Sequence, residues 1–506
     1  MRKIPLLITL LSLGIKSQMQ YLDANFNTSG YISSDYRNKS SDELLKIRFS
    51  NDNNFIYGLG NISISDYKSY ESGLGIIKYN LNTGLNQSFG NFGKQHYYID
   101  TYENAPPNYD SYHFPNGSLL ILSSSGLYKI YNNGNLDQSF GFNGKQQLEI
   151  GCSGRKILML SNGSFFVFGN KQVNYDNDLY IQKFNADGFP DDSFGNMSMK
   201  IYNLGTMEDI VDAQLLNDGK ILITANSKKQ VNSNTYYNYR YSILRKMNLN
   251  GDFDTTFEYN YIPYLSGGEF LKSILSDDQN FLYVAMYDRI LKINLQNSTI
   301  VQSYGNLSTS PFGWSNFKIA DFTIKNNKIY IAGGYSQNPY SFSDVYNNWL
   351  QCYNMDGTLD TSFANQGSFI YFQSTEPTSS AKSILVADDG SVYCATSRNS
   401  DYLLYKILPA LTLNTSDFNY KNTQILYIYP NPVIDTVIAN LVLEKPQKLD
   451  IQVFDLSGKL IKQFSNLSTV KGKNEIKVNL SDLPVGNYML NFITNEYSHS
   501  VKIIKK

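Results

Sequence analysis

The sequence contains 506 residues with a formal net charge of −1, and 17% of the residues are charged, 14% aromatic and 42% hydrophobic. This hydrophobic content supports a large core and excludes global disorder, while the near-zero charge excludes a general nucleic-acid binder, which would carry a basic excess. The aromatic content favours strands over helices.

The first 17 residues are typical of a secretory signal peptide. Arg2 and Lys3 precede an apolar stretch from Ile4 to Ile15, and Ser17 is a small residue suited to cleavage. The stretch is too short to span a bilayer as a helix, and no later segment reaches the roughly 18 apolar residues of a transmembrane helix. We therefore expect export, with a buried N-terminal strand or helix as the alternative interpretation.

The three cysteines are odd in number and far apart, with no CxxC spacing among Cys152, Cys352 and Cys394. A disulfide framework is therefore not expected to hold an exported protein of this kind together. Cys352 and Cys394 could pair if they are adjacent in space. The alternative is that all three are small buried apolar residues.

A short pattern, Leu-Asp-x-x-Phe with glycine nearby, recurs between residues 22 and 363. Its copies begin at Leu22, Leu85, Leu136, Pro190, Phe253, Val301 and Leu359. From Phe26 to Phe363 the six intervals average about 56 residues, which is close to the range in which repeats indicate propellers or solenoids.

A second pattern lies between these copies, and it consists of a polar turn followed by an apolar run. The turns are at 116–117, 162–163, 218–219 and 389–390, with looser versions at 52–54, 279–280 and 326–327. Asn-Gly and Asp-Gly turns tolerate the positive φ angles of tight hairpins. Each period then reads as four short strands, which for the second repeat are 94–99, 111–114, 118–123 and 126–131.

Four strands repeated radially form a β-propeller blade, and the seven polar turns predict about seven blades over residues 18–410. A solenoid is the alternative. The motif at Leu22 has no blade before it, and the last blade has no motif after it. We therefore expect the ring to close with the two ends of the repeat region side by side.

The Leu-Asp-x-x-Phe motif is predicted to have a structural role. Its Leu and Phe would pack between blades, and its Asp would cap the turn into the next blade through backbone N–H groups. The alternative is a ring of carboxylates that binds cations. Asn86 and Gln302 replace the Asp in two copies, and no Asp-x-Asp-x-Asp loop accompanies the motif, which favours the structural role.

The phrases 133–144 (Asn-Gly-Asn-Leu-Asp-Gln-Ser-Phe-Gly-Phe-Asn-Gly) and 355–363 (Met-Asp-Gly-Thr-Leu-Asp-Thr-Ser-Phe) resemble the delta-60 repeat, a propeller-forming repeat of bacterial secreted proteins. The resemblance extends over roughly residues 20–410. It implies a propeller and brings no catalytic residues with it.

The chain changes character after a polar linker at 411–424. From residue 425 to residue 506, apolar and polar residues alternate in about seven short segments, for example at Leu449, Ile451 and Val453. This spacing predicts a small Ig-like β-sandwich, so the whole chain is expected to be all-β.

The same segment resembles the type A C-terminal sorting domain of the type IX secretion system of Bacteroidetes. The matching residues are Tyr429, Pro430, Asn431 and Pro432, the run 453–459 with Gly458, the run 483–488 with Gly486, and the tail 501–506. The resemblance implies an address that is recognised by the outer-membrane export machinery. The protein would be secreted or held at the outer-membrane surface after signal-peptide cleavage. A generic Ig-like adhesion domain is the alternative.

The sequence contains no catalytic, metal or cofactor motif. His96, His113 and His499 form no HExxH or His-x-His pattern, and no GxSxG, P-loop or dinucleotide-binding pattern is present. We therefore expect no metal and no cofactor, and we interpret the propeller as a binding module. The alternative is a secreted carbohydrate-active hydrolase or lyase, which carboxylates, arginine or histidine converging on the central channel would favour.

Long, irregular, tyrosine-rich segments indicate where a ligand would bind. They are 62–74, 102–110, 226–241 and 335–348, interpreted as connections between strands 1 and 2 or 3 and 4 on one face of the ring. The candidate contact residues are Tyr102, Tyr109, Tyr236, Tyr237, Tyr335 and Tyr340. Tyrosine offers amphipathic contact area at low entropic cost, and the ligand would be a glycan or a protein.

Overall fold

The structure is a computed structural model. It describes residues 21–23, 25–36, 42–66, 69–81, 83–98, 109–173, 176–232, 235–261, 269–305, 317–336, 346–371, 379–399, 401–408, 424–443, 445–455, 459–494 and 498–506. The predicted signal peptide and all but the last residue of the predicted linker lie outside these residues. The chain divides into two compact units, Met1–Leu411 and Thr412–Lys506.

The first unit is built from strands, and within its described residues the only named helical element is the 3₁₀ turn Phe26–Thr28. The first half contains β1 (Tyr31–Ser34), β2 (Glu43–Phe49), β3 (Phe55–Asp66), β4 (Ser69–Asn80), β5 (Gly84–Leu85), β6 (Lys94–Tyr98), β7 (Asp110–His113), β8 (Leu119–Leu122), β9 (Gly126–Ile130), β10 (Lys145–Gln147), β11 (Cys152–Met159), β12 (Phe165–Val173), β13 (Asp176–Phe184) and β14 (Met199–Tyr202). The second half contains β15 (Thr206–Leu215), β16 (Ile221–Asn232), β17 (Thr235–Met247), β18 (Phe253–Tyr261), β19 (Lys272–Leu275), β20 (Phe281–Ala285), β21 (Ile290–Asn294), β22 (Ile300–Tyr304), β23 (Phe317–Lys325), β24 (Lys328–Ser336), β25 (Tyr346–Asn354), β26 (Ser368–Tyr371), β27 (Ser383–Val386), β28 (Val392–Arg398) and β29 (Asp401–Ile407). Across the described ranges, no helix has the length and apolar character needed to cross a membrane.

These strands form seven antiparallel sheets, which equals the predicted number of blades. In chain order, sheet 1 contains β2–β6, sheet 2 β7–β10, sheet 3 β11–β14, sheet 4 β15–β18, sheet 5 β19–β22, sheet 6 β23–β26 and sheet 7 β27–β29 with β1. Small four-stranded sheets in series are the units of a β-propeller, so the prediction of an all-β propeller is confirmed.

The N-terminal strand completes the last sheet. β1 pairs antiparallel with β29, with Tyr31 opposite Tyr405 and Ser34 opposite Tyr402. Leu22 also forms a bridge with Ile407. The first Leu-Asp motif therefore belongs to sheet 7, and the expectation that the two ends of the repeat region lie side by side is confirmed.

A separate apolar core lies between each pair of neighbouring sheets, and a seventh core joins sheet 7 to sheet 1. The core between sheets 1 and 2 brings Leu59 of β3 against Ile121 of β8. The core between sheets 7 and 1 brings Leu404 of β29 against Ile47 of β2 and Ile56 of β3. Each fully buried side chain of this kind contributes roughly 1.5–3 kcal/mol, so the sheets are held by their neighbours.

The Leu-Asp-x-x-Phe motif lies between the third strand of a sheet and its fourth in sheets 2, 3 and 6, whereas the copies that begin at Phe253 and Val301 lie within the fourth strands β18 and β22. In sheet 2, Asp137 Oδ1 accepts hydrogen bonds from Ser139 N at 3.1 Å and Ser139 Oγ at 2.6 Å, which closes an Asx turn. Phe140 is buried in the core between sheets 2 and 3. Asp360 and Ser362 form the same two hydrogen bonds in sheet 6. The predicted Asp cap and the packing of the Phe are confirmed in these sheets, but the capped turn leads into the fourth strand of the same sheet and not into the next blade.

The predicted blade began one strand too early. The segment 94–99 was expected to open the second blade, but β6 pairs with β4 and is the outer strand of sheet 1. The physical reason is that the motif leads into the fourth strand of a sheet and not into the next sheet. The polar turns therefore join strands 1 and 2, and the long tyrosine-rich segments join strands 2 and 3 or link consecutive sheets.

The second unit contains two antiparallel sheets that share one apolar core. Its strands are β30 (Gln424–Tyr429), β31 (Thr436–Leu443), β32 (Lys448–Asp455), β33 (Leu460–Ser468), β34 (Gly472–Asn479), β35 (Gly486–Ile493) and β36 (Ser498–Lys505). One sheet has the order β30-β31-β34 and the other β33-β32-β35-β36. Alternate residues of β31 and β32 point into the core, which makes the unit a small sandwich.

Candidate functional site

The connections of each propeller sheet leave from two ends, because neighbouring strands run antiparallel. We call one the motif end, because it carries the polar turns and the Leu-Asp-x-x-Phe connections. We call the other the hairpin end, because it carries the hairpins between strands 2 and 3 and the links between sheets. The tyrosine-rich segments therefore do share an end, although the strand numbers that the sequence interpretation gave them were wrong by one.

Two segments that were interpreted as irregular loops are arms of regular hairpins. In sheet 1, β3 and β4 remain paired out to Asp66 opposite Ser69. In sheet 4, β16 and β17 remain paired out to Asn232 opposite Thr235. The segments 62–74 and 226–241 are thus mostly strand, and they lengthen the hairpin end instead of covering it with loops.

The candidate tyrosines are distributed over several parts of the hairpin end. Tyr236 and Tyr237 lie in the first residues of β17, and Tyr335 lies near the end of β24. For these three residues the structure describes the backbone. Tyr102 and Tyr340 lie outside the described residues.

Tyr109 is a correction to the predicted site. It is buried in the core between sheets 1 and 2, and its hydroxyl donates a hydrogen bond to Asn61 Oδ1 at 2.6 Å. Burial raises the pKa of this tyrosine. Its side chain packs two sheets together, so it is not available to a ligand. The apolar residues that pack with Tyr109, such as Leu59 and Ile121, lie outside the segment 102–110 that was interpreted as a loop.

The sorting-motif residues hold the last strand of the second unit. Asn431 donates from Nδ2 to Lys502 O at 2.9 Å and accepts at Oδ1 from Ile504 N at 2.9 Å. Val433 N donates to Ile504 O at 2.8 Å. Tyr429 and Pro430 lead into this clamp, Pro432 follows Asn431, Gly486 begins β35, and Gly458 lies outside the described residues.

The three thiols, which are the strongest potential nucleophiles of the chain, are buried. Among the described residues, no three His, Cys, Asp or Glu side chains are grouped to hold a metal ion. All three cysteines are free and buried, as the apolar interpretation predicted. Burial raises the pKa of Cys352 and of Cys394 to about 12, and it lowers the pKa of His113 to about 4.

A ring of charged residues surrounds the centre of the propeller, and the sequence reading missed it. The first strands of sheets 2 to 7 contact one another in series, β27 contacts β2, and Lys46 of β2 pairs with Asp110 of β7, so these strands enclose the centre. Each contributes to the ring one of its charged residues, from within the strand or just before it. In chain order these residues are Lys46, Asp110, Lys156, Asp212, Lys272, Asp321 and Lys382. Their charges alternate in sign, and we call this set the alternating ring.

Ion pairs connect sheets 1 to 4 within the alternating ring. Lys46 Nζ lies 3.1 Å from Asp110 Oδ1, and Lys156 Nζ lies 3.9 Å from Asp110 Oδ2. Lys156 Nζ also lies 2.9 Å from Asp212 Oδ1. Arg48 of β2 adds a third cation to the first carboxylate, with Nη2 2.5 Å from Asp110 Oδ1.

In the other half of the ring, ion pairs join sheet 5 to sheet 6 and sheet 7 to sheet 1. Lys272 Nζ lies 2.5 Å from Asp321 Oδ1, which joins sheet 5 to sheet 6. Lys382 has the lysine Lys46 as its ring neighbour in sheet 1, and it pairs instead with Glu43 of β2 at 2.6 Å. The ring is thus continued from sheet 7 to sheet 1 by a residue outside the alternating set.

The buried aspartates also bind the backbone of the following sheet. Asp110 Oδ2 accepts from Ile157 N at 3.0 Å, and Asp321 Oδ2 accepts from Ile384 N at 2.9 Å. Burial alone would raise the pKa of Asp110, but the cations Lys46, Lys156 and Arg48 outweigh it and hold that pKa well below its usual range. This carboxylate is therefore ionised at any physiological pH.

Two family models match parts of the chain. Residues 427–506 match the family described as Secretion system C-terminal sorting domain, and residues 325–363 match a β-propeller domain of unknown function, DUF5122. No curated protein matches the chain in sequence.

Several solved structures are similar at low sequence identity. A protein of unknown function from Bacteroides caccae is 14% identical, with 66% of this chain and 94% of that chain covered and a TM-score of 0.38. PorZ, a surface component of the type IX secretion system of Porphyromonas gingivalis, is 11% identical, with 91% and 59% covered and a TM-score of 0.37. The AfRom2 CNH domain is 9% identical, with 75% and 98% covered and a TM-score of 0.37.

The sorting-domain match gives the cellular destination. This chain is a β-propeller protein that is exported by the type IX secretion system, and it is attached to the cell surface or released. The predicted export route and the predicted interaction with the export machinery are thereby confirmed.

Proposed function

We propose that the exported propeller is a binding module whose hairpin end contacts a glycan or protein ligand outside the cell. The observation that carries this proposal is the length of the hairpins at that end. In sheet 4, β16 and β17 contain 12 and 13 residues, whereas the equivalent β8 and β9 of sheet 2 contain 4 and 5. Variable segments on a rigid scaffold are the usual position of binding residues.

Tyrosines on these segments supply suitable contact chemistry. Tyr236 and Tyr237 lie in the arm of the longest hairpin, and Tyr335 lies near the end of β24. Tyr102 and Tyr340 belong to the segments that follow β6 and β24 in sequence. Tyrosine rings stack on apolar faces while the hydroxyl remains hydrogen-bonded, which suits both sugars and protein surfaces.

Two of the central carboxylates, Asp110 and Asp321, are poorly suited to the alternative of a hydrolase or lyase. Carboxylates and an arginine do converge there, but acid–base catalysis needs a group that exchanges protons near neutral pH. Asp110 is surrounded by three cations, which hold its pKa far below that range. Asp321 accepts a backbone N–H while it pairs with Lys272. These carboxylates are committed to holding neighbouring sheets.

The experiment is a screen of the purified chain against a glycan array, followed by the triple variant Tyr236→Ala, Tyr237→Ala and Tyr340→Ala. We expect the variant to lose at least tenfold in affinity for any neutral glycan that the wild type binds. Phe142→Ala is the matched control, because Phe142 is an aromatic residue 70% exposed at the motif end. Unchanged binding by the triple variant, or an equal loss in the control, would remove the assignment to the hairpin end.

A further inference from the structure

We propose that the centre of the propeller contains a binding site for an oxyanion, meaning a carboxylate or phosphate group, formed by Lys46, Arg48, Lys156 and Lys272. This inference goes beyond the proposed function, since binding at the hairpin end does not depend on it.

The first argument is the balance of charge. A ring of seven positions with alternating sign contains four cations and three anions, because seven is odd. Arg48 adds another cation beside the ring, and Glu43 adds one anion that pairs with Lys382. Among these nine residues the cations therefore outnumber the carboxylates by one.

The second argument is the difference in exposure between the cations and the carboxylates. The side chains of Lys46, Arg48, Lys156, Lys272 and Lys382 are 33%, 37%, 23%, 35% and 29% exposed. The side chains of Asp110, Asp212 and Asp321 are 2%, 10% and 9% exposed. The cations are therefore the more accessible charges of the ring.

The third argument is that cations from three sheets act on one another. Burial lowers the pKa of Lys46 to about 8, and repulsion from Arg48, Lys156 and Lys272 contributes to this shift against the attraction of Asp110. Lys272 belongs to sheet 5 and Lys46 to sheet 1, so the repulsion acts across the centre and not only along the ring. An anion placed between these groups would relieve the repulsion.

The guanidinium of Arg48 is part of this set. Its Nη2 pairs with Asp110 and its Nε is buried, whereas the side chain as a whole is 37% exposed. A guanidinium presents donors in a planar fork that matches a carboxylate or phosphate group. We therefore assign Arg48 as the residue that orients the anion, with the lysines supplying charge.

The test is calorimetric titration of the full chain with two probes, inorganic phosphate and tetragalacturonate, with maltotetraose as the neutral control. We expect binding of at least one probe and none of maltotetraose. Binding of phosphate alone indicates a free anion as the ligand, and binding of tetragalacturonate alone indicates an anion carried on a saccharide. Affinity should fall as salt increases, because the attraction is electrostatic.

Arg48→Gln and Lys272→Gln are each expected to weaken binding about tenfold, which corresponds to roughly 1.4 kcal/mol. Arg48→Lys should restore part of the loss. Lys220→Gln is the matched control, because Lys220 is 34% exposed and pairs with Asp254 at 2.5 Å within sheet 4. An unfolding curve for each variant identifies any that fail to fold, and two independent residues keep the test decisive.

Three results would overturn the proposal. They are the absence of binding by either charged probe at millimolar concentration, wild-type affinity in both Arg48→Gln and Lys272→Gln, and an equal loss in Lys220→Gln. None of these results affects the glycan-array experiment on the hairpin end, so the two proposals succeed or fail separately.

Discussion

Two sets of Lys–Asp pairs stabilise this propeller, one at the motif end and one at the centre. At the motif end, the pairs that involve the aspartate of the Leu-Asp-x-x-Phe motif join two residues of the same sheet, as Lys183 and Asp191 do at 2.7 Å in sheet 3. At the centre, each pair joins two different sheets, as Lys156 and Asp212 do at 2.9 Å. The same two residue types therefore stabilise a single sheet in one place and the connection between sheets in the other.

The difference has a consequence for sequence and for energetics. A pair that closes within a sheet can be repeated with the same residues in every sheet, so it becomes a visible motif. A pair that connects neighbouring sheets through one residue per sheet has to change sign from sheet to sheet. Asp110 at the centre is also the most deeply buried of these carboxylates, at 2% exposure against 8% for Asp137 at the motif end, so the loss of its partners leaves a charge without compensation.

The largest expected effect comes from removing the most heavily paired carboxylate at the centre. Asp110→Asn leaves Lys46, Arg48 and Lys156 facing one another without their shared anion. We expect the free energy of unfolding to fall by about 3–5 kcal/mol, as for other broken buried ion pairs. Urea unfolding of the full chain, followed by tryptophan fluorescence and circular dichroism, measures this change.

Asp360→Asn is the matched change at the motif end. Asp360 pairs with Lys328 at 2.5 Å and caps Ser362, so both the ion pair and the Asx turn are affected. We expect a loss of about 1 kcal/mol. Equal losses for the two variants would contradict the distinction between pairs within a sheet and pairs between sheets.

A second prediction concerns Glu208 of β15, which lies four residues before Asp212 and forms no ion pair with any cation in the described part of the chain. It is fully buried, one of its oxygens has no hydrogen-bond partner, and burial with the nearby Asp176 and Asp178 raises its pKa to about 7. The folded state therefore binds a proton more tightly than the unfolded state. This stabilisation is complete below pH 4.5 and is lost as the pH rises through 7.

Glu208→Gln imitates the protonated form at every pH. At pH 8 we expect the variant to be more stable than the wild type by about 2–3 kcal/mol, and at pH 4.5 we expect the two to be equal within error. Urea unfolding at both pH values provides the measurement. A variant that is less stable at pH 8 would show that ionised Glu208 has a compensating partner after all.

The smallest expected effect is a difference in coupling energy between one central ion pair and one ion pair at the motif end. We expect the coupling energy between Lys156→Gln and Asp212→Asn to be about 1–2 kcal/mol, and that between Lys183→Gln and Asp191→Asn to be about 0.5 kcal/mol. Double-mutant cycles from urea unfolding measure both values. At high salt the coupling energy of the more exposed pair at the motif end should fall, and that of the central pair should change little. Reversed coupling energies would contradict the comparison.

Much of the fold followed from patterns that repeat without change. The Leu-Asp-x-x-Phe motif and the polar turns have the same chemistry in most sheets, so they fixed the period and the number of sheets. The start of each sheet was misplaced because a period has no starting point of its own. The strand at which a sheet begins is decided by strand pairing, and the pairing of β6 with β4 places β6 in sheet 1. The pairing of β1 with β29 was foreseen because the first motif had no strands before it.

The central charges were missed for a different reason. Their positions recur with the period of the repeat, but Lys and Asp alternate, so a search for similar residues passes over them. A search for charged residues of either sign a few positions before each polar turn would have found them. Tyr109 was misplaced because tyrosine occurs both in exposed loops and in buried cores. Only its packing against sheet 1 shows that this tyrosine is buried.

The parity of the alternating ring limits how this propeller can change in size. Insertion of one copied repeat next to its original would place two like charges side by side at the centre, where the original arrangement has opposite charges. Insertion of two adjacent repeats together, one with Lys and one with Asp, would keep the alternation. Duplication of repeats in pairs is therefore the route by which propellers with this centre can gain or lose sheets without a new mutation at the ring.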